Sequence, residues 1–341
     1  MGRGTSAVDH GGEARAEAGR ARWAAAVEAR TVIFTEGAVI ERLRRDRRFE
    51  LDPHAAHAPF IYTPRGQGAL EDLWRGYAAP IRQAGFPVIV CAPTWRASPE
   101  RLRRANLPDV ATVSRDAVAL LARWRSTCGD DGPPIFMGAL LGCRGDAYRP
   151  EEALDARSAA EYHRPQAEAL AEAGPDLLLA STLPAFSEAL GLAQALAATG
   201  RSYGLSFVLR PSGTLLDGSP LAEVVARIDD AVAPAPTFYL GGCVHPVHFE
   251  RALAVAAASR PSVVDRLIGL QGNGSRKAPE ELDGSRLLDA DDPLAFADAM
   301  EGVRRRFGLR ILGGCCGTDE RHLAAAARRV RAGLAREASP D

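Results

Sequence analysis

From Thr31 onward the chain alternates short continuous apolar runs with longer stretches in which apolar residues recur at helical spacing. The short runs are TVIFTE (31 to 36), FPVIVCA (86 to 92), PIFMGAL (134 to 140), DLLLAST (176 to 182), YGLSFVL (203 to 209), TFYLGGC (237 to 243), DRLIGLQ (265 to 271) and LRILGGC (309 to 315). Continuous rather than alternating apolar character marks strands covered on both faces, which is the habit of parallel sheets. Helical passages lie between them: SPERLRRAN after the second run, EALDARSAAEYHRPQAEALAEAG after the third, PAFSEALGLAQALAATG after the fourth and PLAEVVARIDDAV after the fifth. Several open on Ser or Asp and several close on Gly, as helix capping favours. Eight strands with intervening helices predict an α/β fold of the (β/α)8 TIM-barrel type, a single domain over residues 31–335. The rival, an open doubly wound sheet, would carry a Gly-rich turn after its first strand. Here that turn reads TEGAVIERL, with one glycine and no GxGxxG.

The pattern is weaker at the ends. Residues 1–30 are rich in Ala, Arg, Glu and Gly, without strand character, and fit either a polar helix or a disordered extension. Residues 336–341 read as a short tail. A stretch from Asp46 to Gly85, first rich in Pro, His and Gly and then helical at ALEDLWRGYAAPIRQAG, reads as an insertion over the barrel mouth. A second insertion, GNGSRKAPEELDGSRLLDADDP, follows the seventh strand. Both fall on the face where barrel enzymes do their chemistry.

Composition changes this picture little. Of 341 residues 46% are hydrophobic and 25% charged, which suits a globular protein with a substantial core. A net charge of -1, from 42 basic and 43 acidic side chains, offers no field for nucleic acid or an anionic membrane surface. The arginine runs RLRRDRR (42 to 48) and GVRRRFGLR (302 to 310) read as solvated helix faces and ends. No apolar run reaches the roughly 20 residues of a membrane helix, and no secretory core opens the chain. The expected location is the cytoplasm, where six cysteines are thiols or ligands rather than a disulfide framework.

Three of those cysteines stand out. Cys243 closes the sixth strand in YLGGCVHP, and Cys315 and Cys316 close the eighth in RILGGCCGT. Strand ends of a barrel open onto one rim, so residues far apart in sequence converge there. Paired glycines before each cysteine allow close backbone approach. A lone cysteine is ordinarily a small buried hydrophobe; GGC twice, the second time with a doubled cysteine, points to a metal. Three thiolates with one open position match a catalytic zinc, and soft sulfur selects zinc over magnesium or calcium. The open position suits a substrate thiol. His245 and His248 read as rim residues, and Cys91, Cys128 and Cys143 as local or spare thiols.

At GGCCGT the chain resembles the homocysteine S-methyltransferase family, over about Thr31 to Val330. Weaker likenesses are TEGAVIERL, GDAYRPEEAL (145 to 154), SF at 206 and 207 with DGSPLAEVV (217 to 225), and QGNGS (271 to 275). The resemblance implies a zinc enzyme with Cys243, Cys315 and Cys316 as metal ligands and catalytic groups through the metal. It implies a small-molecule thiol acceptor, homocysteine by family default and hence methionine as product. With no room for folate or cobalamin modules, and without the longer C-terminus of the betaine-using branch, the expected donor is a sulfonium: S-methylmethionine or S-adenosylmethionine. Positions aligned with the family's substrate site are Glu36, where relatives have Asp, and Thr94, between Pro93 and Trp95. To these are added Arg144 in an aromatic position, Ser181 where a Glu holds the homocysteine amino group, and Asn273. Those departures leave two rival readings, the same chemistry on a different thiol or selenol, and a non-catalytic zinc-binding barrel.

Overall fold

The computed structural model describes residues 10–282 and 288–339. Eight parallel strands form a closed barrel in sequence order: β1 (Ile33–Thr35), β2 (Val88–Ala92), β3 (Ile135–Gly142), β4 (Leu177–Leu183), β5 (Tyr203–Val208), β6 (Phe238–Val244), β7 (Leu267–Gly272) and β8 (Ile311–Gly314). Phe34 of β1 pairs with Val88 on one side and with Leu312 on the other, which closes the ring. Each of the eight apolar runs coincides with one strand to within about two residues at either end, so the TIM-barrel expectation holds.

One long helix follows each strand: Pro64–Gln83, Val110–Ser126, Ala156–Ala173, Phe186–Ala197, Leu221–Ala231, Pro246–Ser259, Pro293–Phe307 and Glu320–Ala338. Side-chain caps fix several starts. Asp109 accepts from the backbone N–H of Thr112, and Asp155 from that of Ser158. Two ends stop on left-handed glycines, Gly174 and Gly308. Pro64–Gln83 corrects the sequence reading of the 46 to 85 stretch. It is the ring helix joining β1 to β2, with Trp74, Tyr77 and Ile81 buried in the main core, and only the segment before it lies over the mouth. The last helix likewise runs past residue 336, so the expected tail begins inside it.

Two hydrophobic layers result. One fills the space between strands and helices. The other occupies the barrel interior, where Ile33, Ile89, Phe136, Leu179, Leu240 and Ile311 meet. The N-terminal segment, which the pattern left between helix and disorder, is a helix over His10–Glu28 that joins this inner layer. Its Trp23 is 1% exposed, meets Phe136 and Phe238 edge to face, and donates its indole N–H to Ser202 Oγ at 2.8 Å. Ser202 precedes β5 and Phe238 begins β6, so Trp23 closes the N-terminal end of the barrel opposite the rim.

Candidate metal centre

At the opposite end, β6 carries an irregularity. Gly242 pairs with Gln271 and Val244 with Gly272, which leaves Cys243 between them as an extra residue. Its φ is +52°, left-handed and unusual for a non-glycine. Such a bulge turns a side chain out of the ladder. Cys315 and Cys316 follow β8 in a turn held by four backbone anchors. The N–H of Cys315 donates to Gly272 O at 2.7 Å, its carbonyl accepts from Thr318 Oγ1 at 2.7 Å, and the Cys316 carbonyl accepts from the N–H of Gly274 at 2.8 Å. The N–H of Gly317 donates to Glu41 Oε2 at 2.5 Å.

The preceding glycines leave room for side chains of the adjacent strands. A Cβ on Gly313 would stand 1.8 Å from Thr35 Oγ1, and one on Gly242 would stand 2.3 Å from Ser206 Oγ.

The outcome is that the sulfurs of Cys243, Cys315 and Cys316 all lie within 4.8 Å of one another. In a tetrahedral zinc thiolate with Zn–S of about 2.3 Å, neighbouring sulfurs are about 3.8 Å apart. The set is therefore close to ligating geometry, and all-sulfur chemistry suits a soft metal. The three thiols titrate together: hydrogen bonds from Cys315 and Cys316 pull Cys243 well below an ordinary thiol, while those two are pushed up. Cys243 Sγ also accepts from Asn273 Nδ2 at 3.4 Å and lies 3.4 Å from the Tyr148 hydroxyl. Asn273 is oriented in turn by its Oδ1, which accepts from the N–H of Ser275.

The other anticipated residues are distributed around this centre. Glu36 follows β1 and is 6% exposed; one oxygen accepts from the N–H of Cys91 at 3.3 Å, and burial lifts its carboxyl to about 8. Ser181 lies in a second irregularity, in β4, where the following Thr182 has φ +60°. The Ser181 carbonyl accepts from Trp95 Nε1 at 3.4 Å. Thr94 is wholly buried, and its hydroxyl both donates to Leu140 O and accepts from Leu140 N–H, tying the end of β2 to β3. Arg144 sits on the outer rim beside Glu100, at 3.5 Å, away from the sulfurs in its contacts. His245 caps the helix Pro246–Ser259 by accepting from the N–H of Val247, and is outside the sulfur cluster. Cys91 and Cys143 are buried away from it too, Cys91 in the inner core layer.

Sequence reasoning did not single out Tyr148. The signal was present only as a tyrosine within GDAYRPEEAL after β3. Its loop is held by buried Glu188, which accepts from the N–H groups of Arg144 and Leu154 and lies 2.9 Å from His163 Nε2.

Closed barrel and rim cluster together define a (β/α)8 protein with a three-cysteine cluster able to hold a metal where barrel enzymes keep their chemistry. The sequence profile of "Homocysteine S-methyltransferase" matches residues 34–330, and the chain belongs to that family. It is 33% identical to the homocysteine S-methyltransferase of Escherichia coli over 183 residues, a match that takes in 53% of this chain and about half, 55%, of that protein's length. Homocysteine S-methyltransferase 4 of Zea mays is 27% identical over 309 residues, covering 83% of this chain and 86% of the maize protein. The metallated form of the homocysteine methyltransferase MmuM from Escherichia coli superposes with a TM-score of 0.67 at 23% identity, over 89% of this chain and 98% of that one. That superposition shows a shared fold.

Proposed function

We propose that the protein is a zinc-dependent S-methyltransferase, moving a methyl group from a sulfonium donor to a thiol, with homocysteine as the default acceptor and methionine as its product. The observation that carries this reading is the sulfur triad within 4.8 Å on the barrel rim of a member of this family. Zinc held by Cys243, Cys315 and Cys316 supplies the Lewis acidity that keeps an acceptor sulfur deprotonated near neutral pH. The thiol proton leaves to solvent, a new S–C bond forms to the methyl carbon, and the sulfonium C–S bond breaks to release a neutral thioether. The protein's part is alignment, with both sulfurs in line with the transferring carbon. Asn273 and Tyr148 fix Cys243, and the bonded turn at 315 to 318 fixes its partners.

Glu36 and Ser181, at the ends of β1 and β4, are proposed to face the acceptor. Ser181 is the specific reason to keep a second acceptor class in view, a different thiol or selenol, because a hydroxyl cannot pair with an ammonium group as a carboxylate does. Glu36 replaces that carboxylate only when an incoming ammonium drives off its proton.

The test combines metal analysis of purified protein with mass spectrometry of acceptor products, using S-methylmethionine or S-adenosylmethionine and a panel of thiols. One zinc per chain and a methylated thiol are expected, both lost in Cys316→Ala. Retention of zinc and turnover in Cys316→Ala would sink the site assignment. Bound zinc without turnover of any thiol would favour the non-catalytic barrel.

A further inference from the structure

A cleft of about 930 Å³ opens beside the metal centre and shares Tyr148 with it. It is at the large end of small-molecule sites and exceeds the needs of a small thiol amino acid. Its wall carries six arginines: Arg44, Arg96, Arg101, Arg104, Arg144 and Arg149. Three are paired with carboxylates, Arg104 and Arg144 sharing Glu100 and Arg149 facing Glu152, and Arg44 is exposed.

Arg96 and Arg101 are different. Neither has a carboxylate oxygen within 4 Å among the described residues. Arg96 stacks on the Trp95 ring, 4.2 Å from its centroid, and its Nη1 donates to the carbonyls of Cys143 and Gly145. Arg101 donates to the carbonyls of His54 and Arg144. Both guanidinium groups are thus half-buried and held by backbone oxygens, which position a charge without cancelling it. Burial and the neighbouring Arg101 charge depress Arg96, so holding the two cations in one cleft is costly. The cleft's acids relieve that cost only in part: the Asp146 charge favours the Arg96 cation, yet burial and Arg101 prevail. Asp52 accepts from the N–H groups of His54 and Ala55, Asp146 from that of Tyr148, and Glu50 is exposed.

We propose that Arg96 and Arg101 form an anion subsite that binds a carboxylate of a substrate whose reacting end reaches the cysteine triad past Tyr148. A planar guanidinium matches a carboxylate with two parallel N–H bonds, and a partly dehydrated pair strengthens them. The assignment rests on the methyl-transfer reading for which substrate enters, and its test is separable from that reading.

Calorimetric titration of the zinc-loaded protein with succinate, and with its uncharged analogue succinamide, measures the subsite without turnover. Succinate should bind at least tenfold tighter than succinamide. Arg96→Met and Arg101→Met should each weaken succinate at least tenfold, while Arg157→Met, on an exposed arginine paired with Glu161 and not part of the cleft wall, leaves it unchanged. Thermal melts identify a variant that has lost its fold, and the other then decides. Equal binding of the two probes, or wild-type affinity in folded Arg96→Met and Arg101→Met, overturns the proposal. Where turnover is found, a tenfold rise in KM for homocysteine or for the sulfonium donor, with kcat kept, tells which substrate's carboxylate the subsite holds. Absence of turnover with every thiol counts against the methyl-transfer reading and leaves the succinate result to stand or fall alone.

Discussion

Cys243 occupies a left-handed backbone position that costs an L-residue about 1–2 kcal/mol, a cost glycine escapes. In chelator-treated protein, Cys243→Gly should therefore be more stable than Cys243→Ala by about 1 kcal/mol, read from urea midpoints, although neither variant binds metal. Equal midpoints would mean that the bulge relaxes when its sulfur is removed. Glu36 makes a second residue-scale prediction. Folding raises its carboxyl from 4.5 to about 8 through burial, so between those values the folded chain holds a proton that the unfolded chain has released. Stability from this group is complete below about pH 4.5 and falls as pH rises toward 8, by up to about 1.4 kcal/mol per unit. Glu36→Gln, which cannot ionise, should remove that decline in metal-free protein. A slope identical to wild type would show that Glu36 ionises freely.

Among the elements, the N-terminal helix holds the prediction of greatest consequence for the fold. Its exposed faces are polar, yet Trp23 fills the closed end of the barrel against Phe136 and Phe238. Trp23→Ala should cost about 3–5 kcal/mol, measured by chemical denaturation, as for other buried aromatics. A loss below 1 kcal/mol would mean that the helix adds little. This helix was poorly legible in the sequence because Trp23, helped only by small contacts from Ala26 and Val27 and not by an apolar stripe, attaches it. The strands were legible because each is buried on both faces and reads as an uninterrupted apolar run. The cysteine cluster was legible for a related reason, since GGC recurs at two strand ends that open on one rim, and the three sulfurs do converge there. Tyr148 and the pairing of Arg96 with Arg101 were not, because their approach to the rim depends on tertiary contacts such as the Glu188 bonds. Arg304 shows the same limit. It reads as part of a solvated basic run but is 5% exposed, paired with Glu301 at 2.6 Å.

For the whole molecule, binding at the triad should act as stabilisation by mass action, because the unfolded chain separates Cys243 from Cys315 by a long loop. Zinc at 100 times its dissociation constant should add about 2.7 kcal/mol, seen as a rise in Tm over chelated protein that Cys316→Ala abolishes. A rise of the same size in Cys316→Ala would point to metal held elsewhere. The four glycines before the cysteines carry a broader consequence. Thr35 and Ser206, on the adjacent strands, occupy the volume that side chains at 313 and 242 would need. The centre is thus a property of four strands, β1, β5, β6 and β8, and three cysteines grafted onto another barrel would arrive as buried thiols at the wrong spacing. A portable version has to carry the glycines, the facing Thr35 and Ser206, and the extra residue in β6 together. Any lineage that changes one of these partners must change its counterpart as well, or lose the convergence of the three sulfurs.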